Sequence, residues 1–260
     1  MIFRRKSREP EPTVYSAADL EKLKRSGWVA AQILHELRKL VRPGVATAEL
    51  NDIAFSRLKG EKVEPAFMGY DGFPAVLCAS VNAVAVHGVP NSELLKDGDI
   101  LTLDFGVIAE GFYSDTAMTI PVGNPSVDAR RLIQVTDEAL KLGIATAKPG
   151  ATTGDIGAAI QGYVEEAGFE VIHELTGHGV GRALHEAPQI PNFGTAGEGV
   201  VLQPGMVIAI EPITAFSTQH VKLAKDGFSY VTDNGCLSAH AEHTIAITKA
   251  GPVVLTAYES

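Results

Sequence analysis

The chain holds 260 residues, long enough for one large α/β domain with a substantial core. Hydrophobic residues at 45% and charged residues at 20% exclude disorder, and a net charge of −9 disfavours nucleic acid or an anionic membrane as partner. Two cysteines, Cys78 and Cys236, make no disulfide framework, and neither a signal-like apolar stretch nor a run of roughly 18 apolar residues occurs, so the expectation is a soluble cytoplasmic protein.

Residues 1–15 carry Arg4, Arg5 and Lys6, turn polar through Pro10 and Pro12, and read as a solvated tail. Residues 16–260 read as a single domain. Ser16 and Asp19 have capping-box spacing and open a helix with apolar residues at Ala30, Ile33, Leu34 and Leu37, which Pro43-Gly44 ends. A second helix is expected over 47–59. Short apolar runs at 75–81, 100–107 and 113–121, punctuated by Gly and Asp, predict strands. Helices over 127–147 and 153–167 follow, then strands at 207–213 and 243–248.

The order helix, helix, strands thus occurs twice. Pro43-Gly44 with Thr47 matches Pro149-Gly150 with Thr153, 106 residues on. Gly98 precedes Asp104 as Gly205 precedes Glu211, and His87-Gly88-Val89-Pro90 echoes His185-Glu186-Ala187-Pro188. These landmarks predict two halves, about 16–121 and 125–255, with helices on one face of a curved sheet and a site at the seam.

Polar residues inside apolar strands mark that site. Asp104 ends Ile100-Leu101-Thr102-Leu103, and Asp115 follows beyond a turn at Ala109-Glu110-Gly111. A two-residue hairpin loop centred on 109–110 or 110–111 puts both aspartates on one face, opposed directly or diagonally. A one-residue slip would separate them. Glu211 and Glu242 repeat the anomaly, and few basic residues lie near enough in sequence to pair with four acids. His178, set among Gly177, Gly179 and Gly181, adds an imidazole where the backbone can approach closely. One nitrogen and four carboxylates suit Mn, Fe(II), Co(II) or Zn, and five such donors exceed what one ion needs. Two ions could share a hydroxide for attack on a carbonyl. No Gly-x-Ser-x-Gly elbow, His-Glu-x-x-His helix or Walker loop competes.

Taken together, Asn82–Pro90, Asp104 with Gly111-Phe112-Tyr113-Ser114-Asp115, Gly177–Gly181, His185–Pro188, Glu211-Pro212 and Glu242-His243-Thr244 resemble the type I methionine aminopeptidases, from about Ser16 to Leu255. The resemblance implies the α/β (α+β) pita-bread fold, a pseudo-twofold repeat around a curved antiparallel sheet. It also implies that Asp104 chelates one ion, His178 and Glu211 hold the other, and Asp115 and Glu242 bridge both. His185 is then expected near the scissile carbonyl oxygen and His87 near the scissile nitrogen. Phe67, Tyr70, Phe73, Cys78 and Phe228 are expected to form the methionine pocket.

Further expectations follow from the same resemblance. The chain would act as a monomer on the N-termini of nascent polypeptides at the ribosome, removing methionine when the second residue is small. Only 33 residues separate His178 from Glu211, which leaves no room for a type II insertion. A proline-specific peptidase of the same fold and a metal-free interaction platform are the competing readings.

Overall fold

The computed structural model describes residues 11–258. Four helices, α1 (Ala17–Arg38), α2 (Thr47–Glu61), α3 (Val127–Thr146) and α4 (Thr153–Glu166), pack against a curled eight-stranded antiparallel sheet. Its strands are β1 (Cys78–Val81), β2 (Ile100–Asp104), β3 (Thr116–Pro121), β4 (Thr176–Gly179), β5 (Glu186–Pro191), β6 (Val207–Ile210), β7 (Glu242–Thr248) and β8 (Gly251–Val254). They run in the order β5-β4-β6-β7-β3-β2-β1, with β8 also on β7. This is the expected pita-bread architecture.

Local chemistry starts the helices. Ser16 Oγ accepts from the Asp19 amide at 3.2 Å while the Asp19 carboxylate accepts from the Ser16 amide. Thr152 and Asp155 do the same for α4. Such caps satisfy amides that have no intrahelical partner and are worth roughly 1 kcal/mol each. Ala46, before α2, has no side-chain oxygen, and only the bond its amide donates to the Glu49 carboxylate remains.

Alternation along the strands sorts the side chains. Leu101 and Leu103 of β2 enter one buried cluster with α1 and α2, while Ile208, Ile210, Ile245 and Ile247 join α3 and α4 in a second. Because successive strand residues face opposite ways, the other face receives Cys78, Asp104, His178, Glu211 and Glu242. The helices therefore hold one side of the sheet, and the chemistry-bearing residues share the other.

Landmarks seen in the sequence recur as hydrogen bonds. The Gly44 amide donates to the Leu95 carbonyl at 2.8 Å and the Gly150 amide to that of Leu202 at 2.9 Å. Isolated bridges join Ala46 to Leu94 and Thr152 to Val201. Gly44 and Gly150 hold φ of 87° and 88°, and Gly98 and Gly205 hold 97° and 99°, values open chiefly to glycine.

The halves meet along β7. On one edge β7 pairs with β6, and on the other it pairs first with β3, through Glu242–Ala117 and His243–Thr116, and then with β8. Thr244 Oγ1 clamps this junction, accepting from the Asp115 amide at 2.9 Å and donating to the Asp115 carbonyl at 2.7 Å. Thr119 treats His240 alike, at 2.9 and 2.8 Å.

Two expectations change in detail. The strands expected at 100–107, 113–121 and 207–213 are each interrupted, at Phe105-Gly106, Asp115 and Glu211-Pro212. The interruptions fall at or beside the acidic residues, where the sheet opens to admit side chains. Tyr15, which the sequence placed in the solvated tail, is buried: its hydroxyl reaches both Glu186 oxygens at 2.9 and 2.8 Å, and its amide donates to Gly205. The basic residues of the tail lie outside the described residues.

Candidate metal centre and substrate pocket

Register brings the two aspartates together. Val107 pairs with Ser114 and Ala109 with Phe112, leaving Glu110-Gly111 as a two-residue turn with φ of 51° and 75°. The same register sets Asp104 opposite Ala117, so Asp115 lies diagonally across from Asp104 on the same face. Of the arrangements the sequence left open, the diagonal one is adopted.

His178 arrives from the other half. Its strand β4 runs beside β6, pairing His178 with Ala209, and Glu211 follows two residues later on the same face. Gly177 and Gly179 allow this approach, because a Cβ on either would strike the carbonyl of Ala209 or Ala187. His178 Nδ1 lies 2.9 Å from the Gly179 carbonyl, which can only accept; Nδ1 therefore donates and Nε2 turns a lone pair to the cavity. Donor atoms of Asp115, His178 and Glu242 lie within 4.8 Å of one another.

The group is deeply buried and short of partners. Asp104 Oδ1, Asp115 Oδ1 and Glu242 Oε1 have no hydrogen-bond partner. Burial pushes Asp104 up to about 7. Burial first, then neighbouring carboxylates, pushes Asp115, Glu211 and Glu242 well above the usual range. Burial also holds His178 neutral, pushed down to about 3. Among the described residues no arginine or lysine lines this cavity of about 340 Å³. Four acids, an imidazole lone pair and no counter-charge fit divalent cations, because cations supply the positive charge these oxygens lack.

All seven remaining residues singled out from the sequence line the same cavity. Phe67, Phe73 and Cys78 are buried in one apolar cluster against Phe228, and the Phe73 and Phe228 rings meet edge to face at 5.6 Å. Tyr70 is partly exposed and places its hydroxyl 2.7 Å from His185 Nδ1. The His185 and His178 rings are 4.4 Å apart. His87 sits at φ 56°, its ring 5.9 Å from Tyr230. Burial lowers the pKa of both His87 and His185. Burial pushes the Cys78 thiol well up, which suits a packing residue and not a nucleophile.

Sequence reasoning passed over His240. It lines the cavity, burial pushes it down to about 3, and Nε2 lies 3.6 Å from Glu211 Oε2 and 3.9 Å from Glu242 Oε2. The signal was present: His240 stands two residues before Glu242, the spacing that shares a strand face.

The pattern of Metallopeptidase family M24 matches residues 21–249. The chain is 46% identical over 234 residues to methionine aminopeptidase 1 of Bacillus subtilis, covering 90% of this chain and 94% of that one. It is 40% identical over 246 residues to the methionine aminopeptidase of Escherichia coli K12, covering 94% and 93%. The crystal structure of methionine aminopeptidase from Thermotoga maritima superposes with a TM-score of 0.94 at 41% identity, covering 95% of this chain and all of that one.

Proposed function

The chain belongs to metallopeptidase family M24 and to the methionine aminopeptidases within it, and from that premise we propose that it releases the first methionine of nascent polypeptides whose second residue is small. The observation that carries this reading is the adjacency of two unlike surfaces in one cavity. One is a set of buried acids, three of them with an unpaired oxygen, beside an imidazole lone pair; the other is an apolar recess of Phe67, Phe73, Cys78 and Phe228. An unbranched, polarizable thioether suits the second surface, and a peptide bond beside it falls at the first.

In this reading Asp104, Asp115, His178, Glu211 and Glu242 would hold a pair of divalent ions, with Asp115 and Glu242 standing where the two halves meet. When bound, the ions would supply Lewis acidity and a hydroxide at neutral pH. The chain's own residues do the rest. Tyr70 donates its hydroxyl proton to His185 Nδ1, which leaves Nε2–H to meet the negative charge developing on the scissile carbonyl oxygen. His87, which also lines the cavity, hydrogen-bonds the scissile nitrogen as the amine departs. Burial keeps both imidazoles neutral, so each can donate without adding charge to a site already built for cations. The limited cavity volume favours a small second residue.

Among the described residues no helix is long and apolar enough to cross a membrane. The proposed substrates set the place of work, the cytoplasm at the emerging nascent chain, with the enzyme acting as a monomer.

Chelated protein titrated with Mn, Fe(II), Co(II) or Zn tests the proposal, with methionine release followed from Met-Ala-Ser and Met-Leu-Ser and an Ala-Pro dipeptide as contrast. Metal-dependent cleavage confined to Met-Ala-Ser is expected. Preference for Ala-Pro, or full activity after chelation, would overturn it.

A further inference from the structure

His240 is 2% exposed at the side chain, and neither ring nitrogen has a hydrogen-bond partner. Natural cores seldom leave buried polar atoms unpaired, so the two nitrogens call for a reason. The Glu211 carboxylate lies between two imidazoles, one for each oxygen. Oε1 is 3.6 Å from His178 Nε2, and Oε2 is 3.6 Å from His240 Nε2. The two gaps differ in kind. His178 has its proton committed on Nδ1 to the Gly179 carbonyl, so lone pairs face each other across the first gap, the setting for a cation. His240 has no such commitment on Nδ1, so its proton is free to sit on Nε2 and point at Glu211.

We propose that His240 is a positioning residue of the metal site: its Nε2–H donates to Glu211 Oε2 and so turns Oε1 toward His178. Closing the second gap to hydrogen-bond range takes about half an ångström. Thr119, bonded to both the amide and the carbonyl of His240, holds the backbone from which the ring reaches. Ligating carboxylates are commonly oriented by such outer hydrogen bonds, whose loss weakens metal binding about 10- to 100-fold. The inference rests on reading Glu211 as an ion ligand.

The test compares H240L and H240Q with the unaltered enzyme, using Co(II) titration of chelated protein read by visible absorption and calorimetry, plus melting of the metal-free forms. H240L is expected to weaken one of the two ions about 10- to 100-fold. H240Q, which restores an N–H donor, should stay within a few-fold. Metal-free H240L should melt no earlier than the unaltered chain, because it removes two unpartnered nitrogens. A purely structural role predicts the reverse pair of results: earlier melting and unchanged affinity. H240M serves if leucine does not pack. Unchanged Co(II) affinity in the apolar variants, or equal loss in H240Q, overturns the proposal. An E242A control separates the two levels: if it too retains both ions, the metal-site reading itself is wrong.

Discussion

The two halves of the molecule share a backbone frame and differ in what they hang on it. Gly44 and Gly150 make the same turn, with the same hydrogen bond to a leucine carbonyl, and α2 and α4 start from the same place. At the ends of β2 and β6, however, stand Asp104 and Glu211, 107 residues apart. The first half gives the cavity two short carboxylates and most of the apolar pocket, to which the second half adds Leu184 and Phe228. The second gives longer carboxylates, His178 and His240. The histidines diverge as well. His87 is held at φ 56° beside Gly88, whereas His185 is steadied by the Tyr70 hydroxyl and by a loop that Tyr15 braces. A repeated frame thus fixes where carboxylates converge, while side-chain length and hydrogen bonding decide what each half can hold.

The largest effect belongs to residues at the seam. Glu242→Ala or Asp115→Ala should remove both ions and bring methionine release below detection, whereas Asp104→Ala should stop turnover yet keep the ion of the second half. Metal analysis after gel filtration checks this; two ions retained in Glu242→Ala would contradict a shared seam. Next come the histidines. His185→Ala should lower kcat about 10²- to 10³-fold and His87→Ala about 10²-fold, both with full metal content, as steady-state kinetics and metal analysis will show. Metal loss as the main consequence would refute a substrate-facing role.

Backbone approach is the next level. A Cβ at Gly88 would strike the Ala79 carbonyl, and one at Gly179 the Ala187 carbonyl. Each Gly→Ala change should cost about 1–3 kcal/mol in denaturant unfolding; equal stability to the unaltered chain would show that the frame yields at that point.

The smallest effect distinguishes the two long helices. On α1 the buried Ser26 is satisfied by the Val107 carbonyl at 2.8 Å, but on α3 burial pushes Asp137 up to about 6. A folded pKa raised above the unfolded value disfavours the fold as pH climbs from about 4, and the penalty is complete above about 6. Asp137→Asn should therefore leave Tm unchanged at pH 4 and raise it at pH 8. Allowing for the group's residual exposure, the gain is roughly 1 kcal/mol, or about 2–4 °C for a chain of this size. A gain at pH 4 alone would reverse the sign and reject the account.

Much of this was legible in the residues. Acids inside apolar runs are physically conspicuous, so Asp104, Asp115, Glu211 and Glu242 announced themselves, and the glycines about His178 did the same. The helices were equally clear: the α3 and α4 starts at Val127 and Thr153 agree with expectation, and their ends fall within a residue. Strand breaks at Asp115 and Glu211 were not legible, because alternation continues on both sides of each gap. The hairpin register stayed open until the left-handed Glu110 and Gly111 fixed it. His240 was overlooked because a lone histidine in an apolar segment commonly packs quietly. Only its distances to Glu211 and Glu242 set it apart.

Tyr15 carries a consequence for any protein that trims the leading end of others. Its hydroxyl and the amides of Arg182 and Ala183 converge on the Glu186 carboxylate, directly after His185, so the front of the polypeptide buttresses a working loop. Proteolytic clipping beyond Tyr15 should slacken the His185 loop while leaving the sheet assembled. Preparations clipped past Tyr15 in storage would then fade in turnover long before they lose solubility.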